Sequence, residues 1–246
     1  MRLADIVIVL VRPEEPGNVG AVCRAMKNSG LAALRLVAPP ALDDDVLCAR
    51  AVHAVDVWEA ARVFGTLEAA VADCSLVIGT TRRRGSRKPL TATPETLAAY
   101  LKNTAGRAAL VFGNERTGLE ADELALCNLA SHIPSHDDFP SLNLSHAVQL
   151  YAYTLFRELD EQPAVKGAWV PLDQQRVNDL ATRISDALAS LGFYKQRGKE
   201  MQERFFRDVA ARAGLSEREG AYLGNIFDKA AHLALKKPPT TPSAGE

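Results

Sequence analysis

The segment IVIVLVRPEEPGNVGAVCRAMKNSG, residues 6–30, joins a run of six apolar residues to a helical pattern through a loop rich in proline and glycine. The apolar run is short and β-branched, which predicts a strand over 6–11. Its continuous apolar character favours a strand covered on both faces, as in a parallel sheet. The predicted helix over 18–29 carries Asn18 and Arg24, two side chains with rich hydrogen-bonding capacity, directly after that loop.

The same alternation of apolar runs and helical segments continues to about residue 160. Further strands are predicted over 34–37, 75–79, 108–113 and 130–134. Helices are predicted over 66–73, 94–103, 119–126 and 143–160. This pattern is typical of an α/β fold with a mostly parallel sheet and helices on both faces.

The rest of the chain shows only helical periodicity. The segment EQPAVKGAWVPL, 161–172, resembles a linker, and three helical segments follow it. Ser216 and Glu219 have the spacing of a capping box at the start of the last one. We therefore expect an α/β domain over 1–161 and a small all-α extension over 172–237, which is too small to bury a large core alone.

Composition and motifs exclude several classes of protein. The chain has 246 residues, of which 47% are hydrophobic and 24% charged, as in an ordinary soluble domain. Its first apolar run is too short for a membrane span or a secretory signal, so we expect a cytoplasmic protein without membrane contact. Neither GxGxxG after a strand nor GxxxxGK[ST] nor GxSxG is present, which argues against dinucleotide, P-loop and nucleophile-elbow sites.

The cysteines and histidines show no ligand spacing. Cys23, Cys48, Cys74 and Cys127 lie far apart, which favours reduced thiols packed as small apolar side chains. The five histidines form no metal-binding pattern, so no metal site is expected.

Basic residues are concentrated in two places. The segment RRRGSRK, 82–88, contains five positive charges and no acid, and residues 165–237 hold 13 basic against nine acidic residues. The short cluster fits either a solvated loop or a loop that binds a phosphate backbone. In the second case its RNA contacts are Arg82, Arg83, Arg84, Arg87 and Lys88.

Three segments place glycine, small polar residues and charge directly after predicted strands. They are the loop that leads to Asn18 and Arg24, FGNERTGL at 112–119, and IPSHDDFPSLNLSHAVQ at 133–149. Each alone is most simply a turn or a helix cap. Together they favour a ligand site, since open α/β sheets bind ligands beyond the carboxyl ends of their strands. A ligand with an adenosine-like part fits the small and polar residues of these segments.

Three segments of the chain resemble, in this order, the three motifs of the SPOUT, or TrmH-like, RNA 2′-O-ribose methyltransferases. They are NVGAVCRAMKNSG, LVFGNERTGL and SLNLSHAVQ. The motif spacing and the helical extension are most similar to the TrmJ branch, and the resemblance covers nearly the whole chain. It implies a deep trefoil knot in the C-terminal part of the α/β domain, which binds S-adenosylmethionine. It also implies a homodimer that shares its active site between subunits and methylates the ribose of nucleotide 32 in the anticodon loop of tRNA.

The resemblance also implies roles for individual residues. The catalytic set is Arg24, Asn18, Glu115, Ser141 and Asn143. The residues implied to contact S-adenosylmethionine are Thr80, Phe112, Gly113, Gly118, Ile133, Leu142 and Asn143. Arg24 would bind the developing alkoxide or the adjacent phosphate, because a guanidinium stays protonated in proteins. The alternative interpretation of Arg24 is an ordinary surface charge on a helix. The alternative interpretation of Glu115 is an exposed acid in a loop.

Two other functions remain open at this point. One is methylation of rRNA by an enzyme of the same superfamily, and the other is RNA binding without catalysis. The complete catalytic set argues against the second, since a protein that only binds RNA does not need it.

Overall fold

A computed structural model describes residues 1–82, 91–160, 170–194 and 198–235. The chain forms two compact units, Met1–Gln174 and Gln175–Glu246. The boundary lies a few residues beyond the linker expected from sequence, of which 161–169 fall outside the described residues. Gln174 belongs to the first unit because its backbone N–H donates to the Cys74 carbonyl (3.1 Å) and its Nε2 donates to Asn128 Oδ1 (3.0 Å).

The first unit is built on a parallel sheet. In the described residues the strands are β1 (Ile6–Val11), β2 (Ala33–Val37), β3 (Arg62–Phe64), β4 (Leu76–Thr80), β5 (Thr91–Ala92), β6 (Ala108–Phe112) and β7 (Leu129–Ser131). Their order is β3-β2-β1-β6-β4-β7-β5, and every neighbouring pair is parallel. The predicted fold class is confirmed. The sequence missed β3 and β5, which are too short to show a period.

Helices connect these strands. They are α1 (Pro16–Asn28), α2 (Asp44–Ala51), α3 (Val55–Glu59), α4 (Leu67–Val71), α5 (Pro94–Lys102), α6 (Ala121–Leu126) and α7 (Leu144–Leu159), with short 3₁₀ turns at Leu3–Asp5 and Val52–Ala54. The sequence missed α2 and α3. Helix α2 buries only Leu47 and Ala51, so it shows no apolar stripe, and its start is fixed by the Asp43 side chain, which accepts from two backbone N–H groups.

The core lies on both faces of the sheet. Even-numbered side chains of β1 enter a large cluster with α1, α5 and α7, and odd-numbered ones enter a second cluster beside α4. All six residues of β1 are buried, as their apolar run predicts. The predicted apolar stripe of α7 is also buried in the larger cluster; it consists of Leu144, Val148, Tyr151, Leu155 and Leu159.

Glycine is required at position 20 for a packing reason that the sequence did not indicate. A Cβ at this position would lie 2.2 Å from the Leu47 carbonyl oxygen and 2.9 Å from the Ala51 nitrogen. Glycine therefore allows α1 to lie directly against the backbone of α2. This packing holds the start of α1, and with it Asn18, in place.

The cysteines are free thiols, as predicted. Burial raises the pKa of Cys23 and of Cys74 to about 12, so both remain protonated at neutral pH. They act as small apolar side chains in the two core clusters.

Apart from Gln174, the three predicted helices lie in the second unit; they are α8 (Gln174–Ser190), α9 (Lys199–Ala213) and α10 (Glu217–Leu235). Ser216 and Glu219 form the predicted capping box: the Ser216 N–H donates to Glu219 Oε2 (3.0 Å) and the Glu219 N–H donates to Ser216 Oγ (3.3 Å). Arg183 of α8 binds Asp228 of α10. Across the described ranges, no helix is both long and apolar enough to cross a membrane.

Candidate functional site

A cleft opens at the carboxyl ends of β4, β6 and β7, beside the first turns of α7. Its walls come from five segments: the end of β4, the β6–α6 loop, helix α6, the segment after β7 and the first half of α7. The lining residues are Thr80, Thr81, Arg82, Phe112, Gly113, Asn114, Glu115, Arg116, Thr117, Gly118, Leu119, Leu124, Ile133, Pro140, Ser141, Leu142, Leu144, Ala147 and Tyr151. The cleft therefore has an apolar floor of aromatic and aliphatic side chains and a polar rim.

Glu115 connects the β6–α6 loop to the loop after β1. Its carboxylate accepts from the backbone N–H of Glu14 (3.0 Å), the backbone N–H of Glu15 (3.3 Å) and Nδ2 of Asn18 (3.1 Å). Three donors thus surround this carboxylate and fix its position at the start of α1.

Asn143 extends this network to the third motif. Its Nδ2 donates to Asn18 Oδ1 (2.8 Å), and its own Oδ1 accepts from the backbone N–H (2.8 Å) and the hydroxyl (2.7 Å) of Ser145. It therefore caps α7 while holding Asn18. The three motifs meet in one hydrogen-bonded chain, Glu115–Asn18–Asn143, as their positions after strands predict.

Asn114 shapes the wall of the cleft, and the sequence analysis did not single it out. Its Oδ1 accepts from the Arg116 N–H (2.8 Å), and its Nδ2 donates to the Arg12 carbonyl (2.9 Å) and to Glu14 Oε1 (2.9 Å). An asparagine that closes a turn onto the backbone two residues later is a recognisable signal. The segment GNERTG, 113–118, contains such an asparagine.

Gly113 and Gly118 are required by this wall for different reasons. A Cβ on Gly113 would lie 2.1 Å from the Gly118 carbonyl carbon and 2.2 Å from the Leu119 nitrogen, so the loop folds back directly on the end of β6. Gly118 has φ +69°, a left-handed conformation that favours glycine.

Arg12 holds the base of the same loop. Its guanidinium pairs with Glu123, which is almost buried, and with Glu120 (3.3 Å) at the start of α6. The hydrogen bond to Glu123 raises the pKa of Arg12. Arg12 itself has φ +48°, a strained conformation for a non-glycine residue. Sequence patterns could not reveal this pair, because its members are far apart in the chain.

The floor of the cleft is neutral. Tyr151 lies edge-on to Phe112, with 5.6 Å between ring centroids, and its hydroxyl donates to Ser131 Oγ (2.8 Å). The Ser131 hydroxyl in turn donates to the Ala92 carbonyl (2.7 Å). Burial raises the pKa of Tyr151, so the phenol stays protonated.

The structure brings together most of the predicted site residues, but not all. Thr80, Phe112, Gly113, Gly118, Ile133 and Leu142 line the cleft, as do Glu115, Ser141 and Arg82. Asn143 and Asn18 bind each other beside the cleft and do not line it. Arg24 is exposed on α1, apart from the lining, and its side chain forms no hydrogen bond or ion pair with another described residue. Arg83, Arg84, Arg87 and Lys88 lie outside the described residues.

The chemistry of the cleft fits an amphipathic ligand. The aromatic and aliphatic floor suits a flat base, and the threonine, serine and backbone groups of the rim suit a polar end. Among the described residues, no group of three or more His, Cys, Asp or Glu side chains is arranged to hold a metal ion.

The chain belongs to the SpoU rRNA Methylase family, whose sequence profile matches residues 5–153. This confirms the family to which the three motifs point. The tRNA (cytidine/uridine/adenosine-2′-O-)-methyltransferase TrmJ of Pseudomonas aeruginosa is 45% identical over 154 residues, which cover 61% of this chain and 60% of that protein. An uncharacterized tRNA/rRNA methyltransferase of Haemophilus influenzae is 40% identical over 62% of this chain and 63% of its own length. The chain thus aligns with less than two thirds of either relative.

A solved structure matches over more of the chain. The crystal structure of TrmJ from Z. mobilis ZM4 superimposes with a TM-score of 0.76 at 32% identity. The match covers 91% of this chain and 98% of that one.

Proposed function

We propose that the protein transfers a methyl group from S-adenosylmethionine to a ribose 2′-hydroxyl of tRNA, at nucleotide 32 of the anticodon loop. The observation that carries the proposal is the chain Glu115–Asn18–Asn143 beside the cleft, which joins the first motif to two motifs about a hundred residues further along the sequence. The family and the names of the most similar relatives support the reaction and the substrate.

The residues of the cleft fit S-adenosylmethionine. Phe112, Ile133, Leu142 and Tyr151 offer an apolar surface for adenine. Space is open beyond the position of a Gly118 Cβ, with no atom within 4 Å, so the ligand can approach the backbone there. When bound, S-adenosylmethionine supplies an electrophilic methyl group on a sulfonium sulfur. Thr80 and Gly113 also line the cleft, and together with the residues just named we expect them to hold S-adenosylmethionine.

The remaining polar residues have distinct roles in this proposal. Glu115 positions Asn18, because its lone pairs already accept three hydrogen bonds. Asn143 fixes Asn18 from the other side, and Ser141 lies on the rim near the reacting hydroxyl. Arg24 binds the ribose oxygen as negative charge develops on it, a charge-assisted interaction that is strong where water is excluded.

A homodimer accounts for the position of Arg24. The side chain is exposed on α1 and does not line the cleft of its own chain. In a shared active site, Arg24 of one subunit acts at the cleft of the other. The trefoil knot around the cleft and the cytoplasmic location belong to the same proposal.

We assign RNA binding to two further parts of the chain. The basic segment 82–88 begins at Arg82, which lines the cleft, and its five positive charges suit a phosphate backbone. The helical extension is expected to widen the RNA contact and to support the dimer.

One experiment tests the reaction and the substrate together. The purified protein is incubated with S-adenosylmethionine and unmodified tRNA or rRNA, and 2′-O-methyl groups are mapped by nucleotide. Methylation of tRNA at nucleotide 32 supports the proposal. Methylation of rRNA alone would replace it with the function that the family description names. Failure to bind S-adenosylmethionine in calorimetry would leave RNA binding without catalysis.

A further inference from the structure

Arg116 stands on the rim of the cleft with its backbone fixed and its side chain exposed. Its N–H donates to Asn114 Oδ1 (2.8 Å), which holds the main chain in the turn after β6. Its side chain is 79% exposed, yet it belongs to the lining of the cleft. No role was assigned to this arginine by the motif resemblance.

One ion pair holds the guanidinium. Arg116 Nε lies 2.8 Å from Glu14 Oε2, and Glu14 is itself 37% exposed. Exposed pairs of this kind are weak, because water screens them and both side chains lose freedom. Glu14 does not depend on the pair for its position, since its other oxygen accepts from Asn114 Nδ2 (2.9 Å). The guanidinium can therefore exchange Glu14 for another anion.

Arg116 is one of two arginines that could meet an anion at this rim. Arg82 also lines the cleft, follows the neighbouring strand β4, and has no ion pair within the part of the chain that the structure describes. The carboxylate of Glu115 is held by three donors of the β1–α1 segment, and Arg116 pairs with Glu14 rather than with it. An arginine that can present two parallel N–H groups is suited to a phosphodiester.

We propose that Arg116 binds a backbone phosphate of the RNA next to the reacting ribose, and that Glu14 occupies the guanidinium when RNA is absent. This inference rests on the proposed function, because it assumes that RNA reaches this cleft. It predicts that removing Arg116 weakens RNA binding, whereas removing Glu14 strengthens it.

The test compares Arg116→Gln with Glu14→Gln in the full chain. Binding of unmodified tRNA is measured at several salt concentrations. Loss of the arginine should weaken binding about tenfold, as expected for a charge-assisted contact, and lower the log–log salt slope by about 0.7 to 0.9. Loss of the competing carboxylate should strengthen binding about two- to fivefold, the range of an exposed ion pair. The amide oxygen of the introduced glutamine can still accept from Asn114 Nδ2, so the turn is retained.

Asp56→Asn is the matched control. It removes the carboxylate partner of Lys27 in another exposed pair of the same length, 2.8 Å, between α1 and α3. If freeing any cation strengthens tRNA binding, this variant will match Glu14→Gln; the inference requires a change of less than about twofold.

The possible results separate the inference from the function on which it rests. Weaker tRNA binding in both Arg116→Gln and Glu14→Gln would show that the pair is only structural, and unchanged binding in both would also overturn the inference. If Arg116→Gln loses affinity for S-adenosylmethionine in calorimetry but not for tRNA, the arginine holds the methyl donor instead. A wild-type protein that neither binds nor methylates tRNA would refute the proposed function, and this inference with it.

Discussion

Replacing Gly113 by alanine should damage the cleft more than the fold. The new Cβ would lie 2.1–2.4 Å from backbone atoms of Gly118 and Leu119, whereas Cβ contacts below 3.0 Å are essentially never seen. The loop would have to move by about 1 Å, since backbone atoms cannot rotate away as a side chain can. Overpacking of this kind costs about 1–3 kcal/mol. For a chain of this size, a loss of about 2 kcal/mol lowers Tm by roughly 4–8 °C.

Gly113→Ala should weaken ligand binding more than it lowers the stability of the fold. Gly118 and Leu119 line the cleft, so their displacement changes the surface that faces the ligand. We expect the Kd for S-adenosylmethionine to rise at least about tenfold, because misplacement by about 1 Å disrupts a fitted site. Calorimetry well below Tm measures the affinity, and thermal unfolding measures the stability.

Gly65→Ala provides the matched control. A Cβ there meets no atom within 4 Å, so neither Tm nor Kd should change appreciably. If Gly113→Ala binds S-adenosylmethionine within about twofold of wild type, the reasoning is wrong, and the wall formed by 113–119 does not determine ligand affinity.

Three further predictions concern catalysis, stability and the extension. Arg24→Ala should bind S-adenosylmethionine normally but lose about two or more orders of magnitude in methyl transfer; a folded variant with near-normal turnover would remove Arg24 from the mechanism. The pKa of Asp73 is lowered by its hydrogen bonds to Arg35 and Arg107, so its stabilising effect is present above the ordinary carboxyl pKa of 3.8 and is lost as pH falls below it. The Tm difference between wild type and Asp73→Asn should therefore be large at pH 7 and shrink towards pH 3, and a constant difference would contradict this. A chain ending at Gln174 should keep its affinity for S-adenosylmethionine and bind tRNA much more weakly in a filter-binding assay; undiminished binding would show that the extension is not an RNA-binding element.

Local sequence was sufficient where one residue pattern repeats within a single element. The buried strand at 6–11, the apolar stripe of α7 and the capping box at Ser216 all depend on neighbours within a few residues. The sequence could not indicate α2 or β5, because an element that lacks an apolar stripe or has two residues carries no period of its own. These elements form because the sheet and α1 offer them a surface.

The candidate site could also be predicted from the sequence only in part. The motif residues were visible as polar and glycine-rich segments after strands, and their convergence follows from the parallel sheet. Which of them touch the cleft was not visible. Asn143, for example, lies against Asn18, 125 residues away in the chain, and is not in the lining of the cleft.

The contacts that shape the cleft were decided only by the tertiary structure. Arg12 finds Glu123 across 111 residues, and Asn114 binds the Arg12 carbonyl across 102. Both contacts exist because β1 and β6 are neighbours in the sheet, although β2 to β5 and the helices between them intervene in the chain. Local sequence determined the elements that carry their own period or cap, since periodicity and capping act over a few residues. The order of the strands, set by burial of both sheet faces, determined which distant side chains meet.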